Sequence, residues 1–132
     1  MSDAEEVLQR YLDAQDRKDF DALVSCWHDE IEAYHPLRPD RSWSGIETYR
    51  RAWSRIWANN PNSRFEVVST DVVGNRIYLD ALIEHSDGTM VPCMNILDVE
   101  DGKIRRARVY TDMPTHDGMS MDAFVEELNP EG

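Results

Sequence analysis

At 132 residues the chain has the length of one domain, and with 41% apolar residues it can bury a core without disulfide or metal staples. Its 26 acidic residues against 14 Lys and Arg leave a net charge of −12, which argues against a protein that binds nucleic acid or an anionic membrane, where a basic patch is expected. Cys26 and Cys93 match no metal or redox spacing and lie in apolar patterns, so buried free thiols are expected rather than a disulfide. The acidic opening Met1-Ser-Asp-Ala-Glu-Glu has no signal-peptide character and no apolar run approaches membrane-spanning length, so the expectation is a cytoplasmic, globular protein.

Ser2-Asp3-Ala4-Glu5 has the form of a capping box and predicts a helix running to about Arg17. Ala4, Val7, Leu8, Tyr11, Leu12 and Gln15 recur at helical spacing and form its buried stripe. A tyrosine hydroxyl that goes inside needs a partner, so Tyr11 is either a core ring with a satisfied tip or a donor in a pocket. Lys18-Asp19 ends this helix, and Asp19 can cap a second with the stripe Phe20, Leu23, Val24 and Trp27. His28-Asp29-Glu30 reads as a turn, with His28 exposed and without a role.

Ile31 to Pro36 is a short strand candidate with strict alternation. Ile31, Ala33 and His35 face one way and Glu32 and Tyr34 the other. The apolar face thus ends in an imidazole, and Pro36 stops the strand. Leu37 to Ser44 reads as an irregular loop, of the kind that covers a pocket mouth or simply crosses a surface. Ser44-Gly45 opens a third helix that Asn60-Pro61 ends, with Ile46, Tyr49, Trp53, Ile56 and Trp57 on one face. Arg50, Arg51 and Arg55 lie off that face and read as solvated.

From Arg64 the period changes from 3.6 to 2, giving strands Phe65–Val73, Arg76–His85, Thr89–Val99 and Lys103–Thr111. Gly74-Asn75, Ser86-Asp87-Gly88 and Glu100-Asp101-Gly102 join them into an antiparallel meander, the last two as three-residue loops. Counting from the turns pairs Ile83 with Val91, Ala81 with Cys93 and Leu79 with Asn95. The same counting pairs Val99 with Lys103, Asn95 with Ala107 and Cys93 with Val109. Asn95 is then a polar group within an apolar face, either a satisfied core amide or part of a site. The opposite face mixes Tyr78, Leu82, Met94 and Ile96 with charged residues, which suggests subunit contact. In the tail, Met121 to Leu128 reads as a short helix.

The order of these elements resembles the nuclear transport factor 2-like superfamily, most closely its ketosteroid isomerase and SnoaL-type polyketide cyclase branch. The local signals are Gln9-Arg10-Tyr11, Asp19-Phe20-Asp21, Tyr34-His35-Pro36, Ser44-Gly45 and Asp101-Gly102-Lys103-Ile104, followed by Arg108-Val109-Tyr110-Thr111-Asp112. The resemblance implies one α+β domain over residues 1–132, with a core of about 4–112 and a tail of 113–132. A curved, mostly antiparallel sheet would wrap the N-terminal helices into a cone around one deep apolar pocket. It implies that Tyr11 stands where isomerases keep an oxyanion-donating tyrosine, that His35 replaces their acidic base, and that Asn95 replaces a protonated aspartic acid. Trp53 takes the place of a supporting tyrosine, and Val109 that of the acidic residue on which SnoaL-type cyclases depend. Asp112 reads as structural.

Two readings follow. In the first, a cofactor-independent enzyme, needing no metal, abstracts a proton from a small apolar carbonyl substrate and acts as an isomerase, cyclase or lyase. His35 is then the base and Tyr11 and Asn95 the donors, with pocket walls from Trp27, Tyr49, Trp53 and Trp57 and from Cys93, Val109 and His85 on the sheet. His85 is a second proton carrier or a wet rim residue. In the second reading the chain is a non-catalytic small-ligand-binding or accessory domain. In either case a homodimer through the outer sheet face is expected.

Overall fold

The computed structural model describes residues 1–111 and 121–128. Helix α1 (Asp3–Arg17) starts at a complete capping box. Ser2 Oγ accepts from the Glu5 backbone at 3.2 Å, and Glu5 Oε1 accepts from the Ser2 backbone at 3.1 Å. Its buried stripe is Ala4, Val7, Leu8, Tyr11 and Ala14. Ala14 completes it in place of Leu12 and Gln15, which are half-buried. Lys18 ends the helix in a left-handed conformation, and Asp19 Oδ1 caps α2 (Phe20–Ser25) through Ala22 N at 3.1 Å.

Strand β1 (Trp27–Tyr34) begins at Trp27, not Ile31, so Trp27 belongs to the sheet rather than to the stripe of α2. His28-Asp29-Glu30 therefore lies inside a strand, not in a turn. Its turn-like composition has a local counterpart. The register against the neighbouring strand shifts between Trp27 and Glu32, and His28 Nδ1 accepts from the Glu30 backbone at 3.0 Å, so the trio bulges out of the ladder. From Ile31 the expected alternation holds, with Ile31 and Ala33 buried and Glu32 and Tyr34 exposed.

The loop after β1 is more ordered than its sequence suggests. It forms a short 3₁₀ turn (Pro39–Arg41) and a two-residue strand β2 (Trp43–Ser44), which pairs Ala33 with Trp43. Helix α3 (Ile46–Asn59) starts after Gly45, whose φ of +89° suits glycine. The meander follows as β3 (Arg64–Val73), β4 (Arg76–Glu84), β5 (Met90–Glu100) and β6 (Lys103–Tyr110). A short helix α4 (Met121–Glu127) is clasped by α3. Arg51 pairs with Glu126 and with Asp122, and Arg55 Nη1 donates to the Val125 carbonyl at 2.9 Å. These two arginines thus hold an element in place instead of only facing water. Asp112, Met113, Pro114 and His116 lie outside the described residues.

One open sheet carries the order β2-β1-β6-β5-β4-β3, antiparallel except where β1 lies beside β6. Its inner face and the buried sides of α1, α2 and α3 make the core, in which Leu23, Ile31, Ile77, Leu79, Leu97 and Ile104 are fully buried. Each such side chain contributes about 1.5–3 kcal/mol relative to leaving it exposed. The β4–β5 register is the expected one, with Leu79 opposite Asn95 and Ala81 opposite Cys93. The β5–β6 register is not. Glu100 pairs with Lys103, Asn95 with Val109 and Leu97 with Ala107. The turn has two residues instead of three, because Asp101 and Gly102 both adopt positive φ, 55° and 72°. An irregularity between Asp98 and Val99 absorbs the odd residue. The net displacement is two positions, so the inner and outer faces are kept.

Candidate active site

A cavity of about 130 Å³ opens between the inner sheet face, α1, α3 and the loop after β1. Tyr11, His35 and Asn95 all line it, brought there by three different elements. Tyr11 hangs from the buried stripe of α1 and is 7% exposed. Its hydroxyl oxygen accepts from Gln15 Nε2 at 3.2 Å, one helical turn on, which leaves the hydroxyl proton for another acceptor. Burial pushes the Tyr11 phenol above its ordinary range, so it is a neutral donor. Asn95 comes from the middle of β5 and is 7% exposed. Its Nδ2 donates to Cys93 Sγ at 3.2 Å, a weak acceptor.

His35 follows the last residue of β1 and continues its inward alternation. The next residues fold back on it. Arg38 N donates to the His35 carbonyl at 3.0 Å, Arg41 N to the Arg38 carbonyl at 2.9 Å, and His35 N to Ser42 Oγ at 3.1 Å. These short bonds bring Arg41 to the cavity wall, where its side chain sits in a residue only 4% exposed. Burial lowers the His35 imidazole to about 4, and the Arg41 guanidinium adds to the shift. At neutral pH the ring is therefore uncharged and carries a free lone pair.

The walls are aromatic. Trp27, Trp43, Trp53, Trp57 and Phe65 line the cavity, with Cys93, Val109, Ala107 and Ile83 from the sheet. Tyr49 is expected among the walls but is not one of them. It is 2% exposed and stands behind them, its ring centroid 4.6 Å from Trp27, 5.8 Å from Trp43 and 5.8 Å from Trp53. It sets the tilt of three wall rings without meeting the cavity. His85 is a rim residue, hydrogen-bonded through Nδ1 to Asn60 Oδ1 at 3.1 Å. Lys18, bonded to Ser63 Oγ at 3.0 Å, and Arg64, paired with Glu84 at 3.0 Å, complete the rim.

Sequence reasoning missed Arg41, Trp43, Gln15 and Lys18 as cavity residues. Trp43 carries a signal in retrospect, a large ring in an otherwise polar loop. Arg41 carries none that separates it from Arg38. Among the described residues, no group of three or more His, Cys, Asp and Glu is gathered in a way that would hold a metal ion.

The chain matches the profile of the SnoaL-like domain over residues 8–107. No curated protein matches it significantly. Among solved structures, an NTF2-like protein of unknown function from Mesorhizobium loti is 26% identical, with a TM-score of 0.73 over 84% of this chain and 92% of that one. A protein from Kribbella flavida assigned as a ketosteroid isomerase is 13% identical, with a TM-score of 0.71 over 84% of this chain and 78% of its own. A Sinorhizobium meliloti protein assigned as a polyketide cyclase is 18% identical, with a TM-score of 0.66 over 83% and 99%. The match covers the second helix, the His35 strand, the long helix and most of the meander on a fold shared with NTF2-like proteins, and so the chain belongs to the SnoaL-like domain family.

Proposed function

We propose that the protein is a small-molecule enzyme of the isomerase, cyclase or lyase type. It abstracts a proton from a carbon acid beside a carbonyl group, with no part taken by a bound metal or organic cofactor. The observation that supports this reading is that three unlike polar residues line one open cavity. His35, Tyr11 and Asn95 line it together, yet Tyr11 bonds to Gln15 and Asn95 to Cys93, not to one another. A structural hydrogen-bonded set around a filled core would have paired them internally.

In the proposed mechanism the substrate enters the aromatic cavity with its carbonyl oxygen toward Tyr11 and Asn95. Neutral His35 takes the proton from the adjacent carbon, and the electron pair moves onto oxygen. The Tyr11 hydroxyl and the Asn95 amide stabilise the enolate, neither needing a pKa shift to act as a donor. Protonated His35 then returns the proton to a different carbon, or the enolate expels a leaving group or attacks a second carbonyl. Two buried free cysteines support a reducing, cytoplasmic setting.

The test is deuterium uptake from heavy water into a panel of enolisable aryl and alkyl ketones, read by mass spectrometry. Uptake should fall about 10²- to 10⁴-fold in His35→Ala, the range for a general base. No uptake by the wild type from any ketone, or equal uptake in the variant, would sink the assignment of His35.

A further inference from the structure

We infer that His85 and Asn60 form a recognition site at the mouth of the cavity. The imidazole, held as an acceptor by Asn60, takes a hydrogen bond from a hydroxyl at the far end of an elongated substrate. This deepens the proposed function and rests on its reading of the cavity as the ligand site. The substrate class narrows to a rod-shaped ketone with the carbonyl at one end and a hydroxyl at the other.

The state of the His85 ring follows from its neighbours. Asn60 ends α3, and its side-chain amide is oriented twice over. Nδ2 donates to the Ile56 carbonyl at 3.1 Å, and Oδ1 accepts from Ser86 N at 3.4 Å. A flipped amide would set oxygen against the Ile56 carbonyl and an NH₂ group against the Ser86 N–H. His85 Nδ1 lies 3.1 Å from the same Oδ1, which can only accept, so Nδ1 carries the proton. In the neutral ring Nε2 is then the acceptor. The backbone is held as well. His85 N donates to the Thr89 carbonyl at 2.9 Å, and Gly88 N donates to the His85 carbonyl at 2.9 Å. The Asp87 carboxylate of the same hairpin accepts from Thr89 N at 2.9 Å. The imidazole is thus fixed in position and in tautomer while it lines the cavity.

The sheet register sets how far this site stands from the inner polar end. Tyr34 pairs with Arg108, so His35 comes level with Val109, and Val109 pairs with Asn95, which pairs with Leu79. His35 and Asn95 therefore share one level of the cavity. His85 follows the end of β4, and from Leu79 to His85 the extended chain runs about 20 Å. Between the two levels these strands line the cavity with Cys93 and Ile83, and Trp53, Ile56 and Trp57 line it from α3. The result is a long apolar slot with hydrogen-bonding groups at both ends. A volume of about 130 Å³ spread over that length is narrow. A rod that fills the slot displaces water from His85 Nε2. An acceptor left bare in this way costs affinity unless the rod supplies a donor, and a hydroxyl supplies one.

Isothermal titration calorimetry on the intact chain tests this with two rod-shaped probes, a biphenyl methyl ketone with a para hydroxyl on its far ring and the corresponding methyl ether. The phenol should bind about 3- to 10-fold more tightly than the ether, the range of one added hydrogen bond. His85→Phe keeps a ring and removes the acceptor, so it should abolish that difference and leave the ether unchanged. If the variant fails to fold, nitrogen-15 NMR of the wild-type ring serves, at about pH 8.5, where an ordinary imidazole is neutral. The proton should sit on Nδ1, and the phenol should shift the Nε2 resonance while the ether does not, a response that a merely structural histidine would not give. A proton on Nε2, equal binding of phenol and ether, a preference that survives His85→Phe, or no heat from either probe would each overturn the inference. The outcome is separable from the exchange experiment. Preference for the phenol without deuterium uptake would remove catalysis and keep the recognition site. Uptake with no such preference would do the reverse.

Discussion

A histidine held at about 4 is unusual, and the reason is local. Burial is the larger cause and the Arg41 charge the second. Removing that charge must therefore raise the His35 midpoint, while burial keeps it below the ordinary 6.5. We expect an NMR titration of His35 near pH 4 in the wild type and an upward shift in Arg41→Met. An unmoved midpoint would remove Arg41 from the electrostatics of the imidazole. The same shift fixes a stability profile. Between the folded value of about 4 and the unfolded 6.5, the unfolded chain binds more protons, so stability rises with pH across that window and drains as acid is added. The loss is on the order of 1–3 kcal/mol at the acid end, and His35→Gln should flatten it in denaturant titrations. Strand alternation made His35 legible from the sequence, and helical spacing made Tyr11 legible. Arg41 was not, because arginines in proline-rich loops are usually exposed and only the fold-back of residues 38–42 turns this one inward.

At the scale of elements, turn chemistry decides more than propensity. Ser86-Asp87-Gly88 and Glu100-Asp101-Gly102 look alike in sequence, yet only the second puts an aspartate at positive φ. The two-residue turn that results moves β6 one position along β5, and the irregularity between Asp98 and Val99 adds the second. Arg10 Nη2 donates to the Gly102 carbonyl at 2.7 Å, which ties this turn to α1. A side chain at Gly102, with φ at 72°, meets no neighbour and is strained by its backbone alone. Gly102→Ala should therefore cost about 1–2 kcal/mol in urea unfolding without loss of the native sheet signal. A cost near zero would mean that the turn relaxes to the three-residue form. The same limit explains β1. A helix-like run of apolar spacing reached Trp27, and a bulge of three polar residues hid the first half of the strand. Period-2 reading sees only ladders that keep their register.

At the scale of the molecule, one surface of the described residues has no explanation among those residues. The outer sheet face carries Met90, 46% exposed, and the half-buried Leu82, Met94, Ile96, Tyr78 and Tyr110. Charges of both signs stand among them, as the pair Arg76–Asp98 at 2.7 Å and the pair Arg106–Glu32 at 3.4 Å. Arg108 lies over the rings of Tyr34 and Tyr110, 5.2 and 5.8 Å from their centroids. A face that holds apolar groups and both signs of charge is complementary to itself under a two-fold rotation, the requirement for an isologous dimer. We propose a second copy of the chain as its occupant. Alternation alone made this face readable, because a two-position register error leaves every side chain on its own side. Sedimentation equilibrium should return twice the 15.3 kDa chain mass for the wild type. Ile96→Lys places a charge at the centre of the face, opposite Tyr78 and Arg108 and directed away from the core. The variant should sediment as a monomer with its circular dichroism unchanged. The cavity opens on the other side of the sheet, so its lining should survive the loss of the partner. A wild type that sediments at the single-chain mass would show that the face is solvated, and that its aromatic–arginine stacking is sufficient cover.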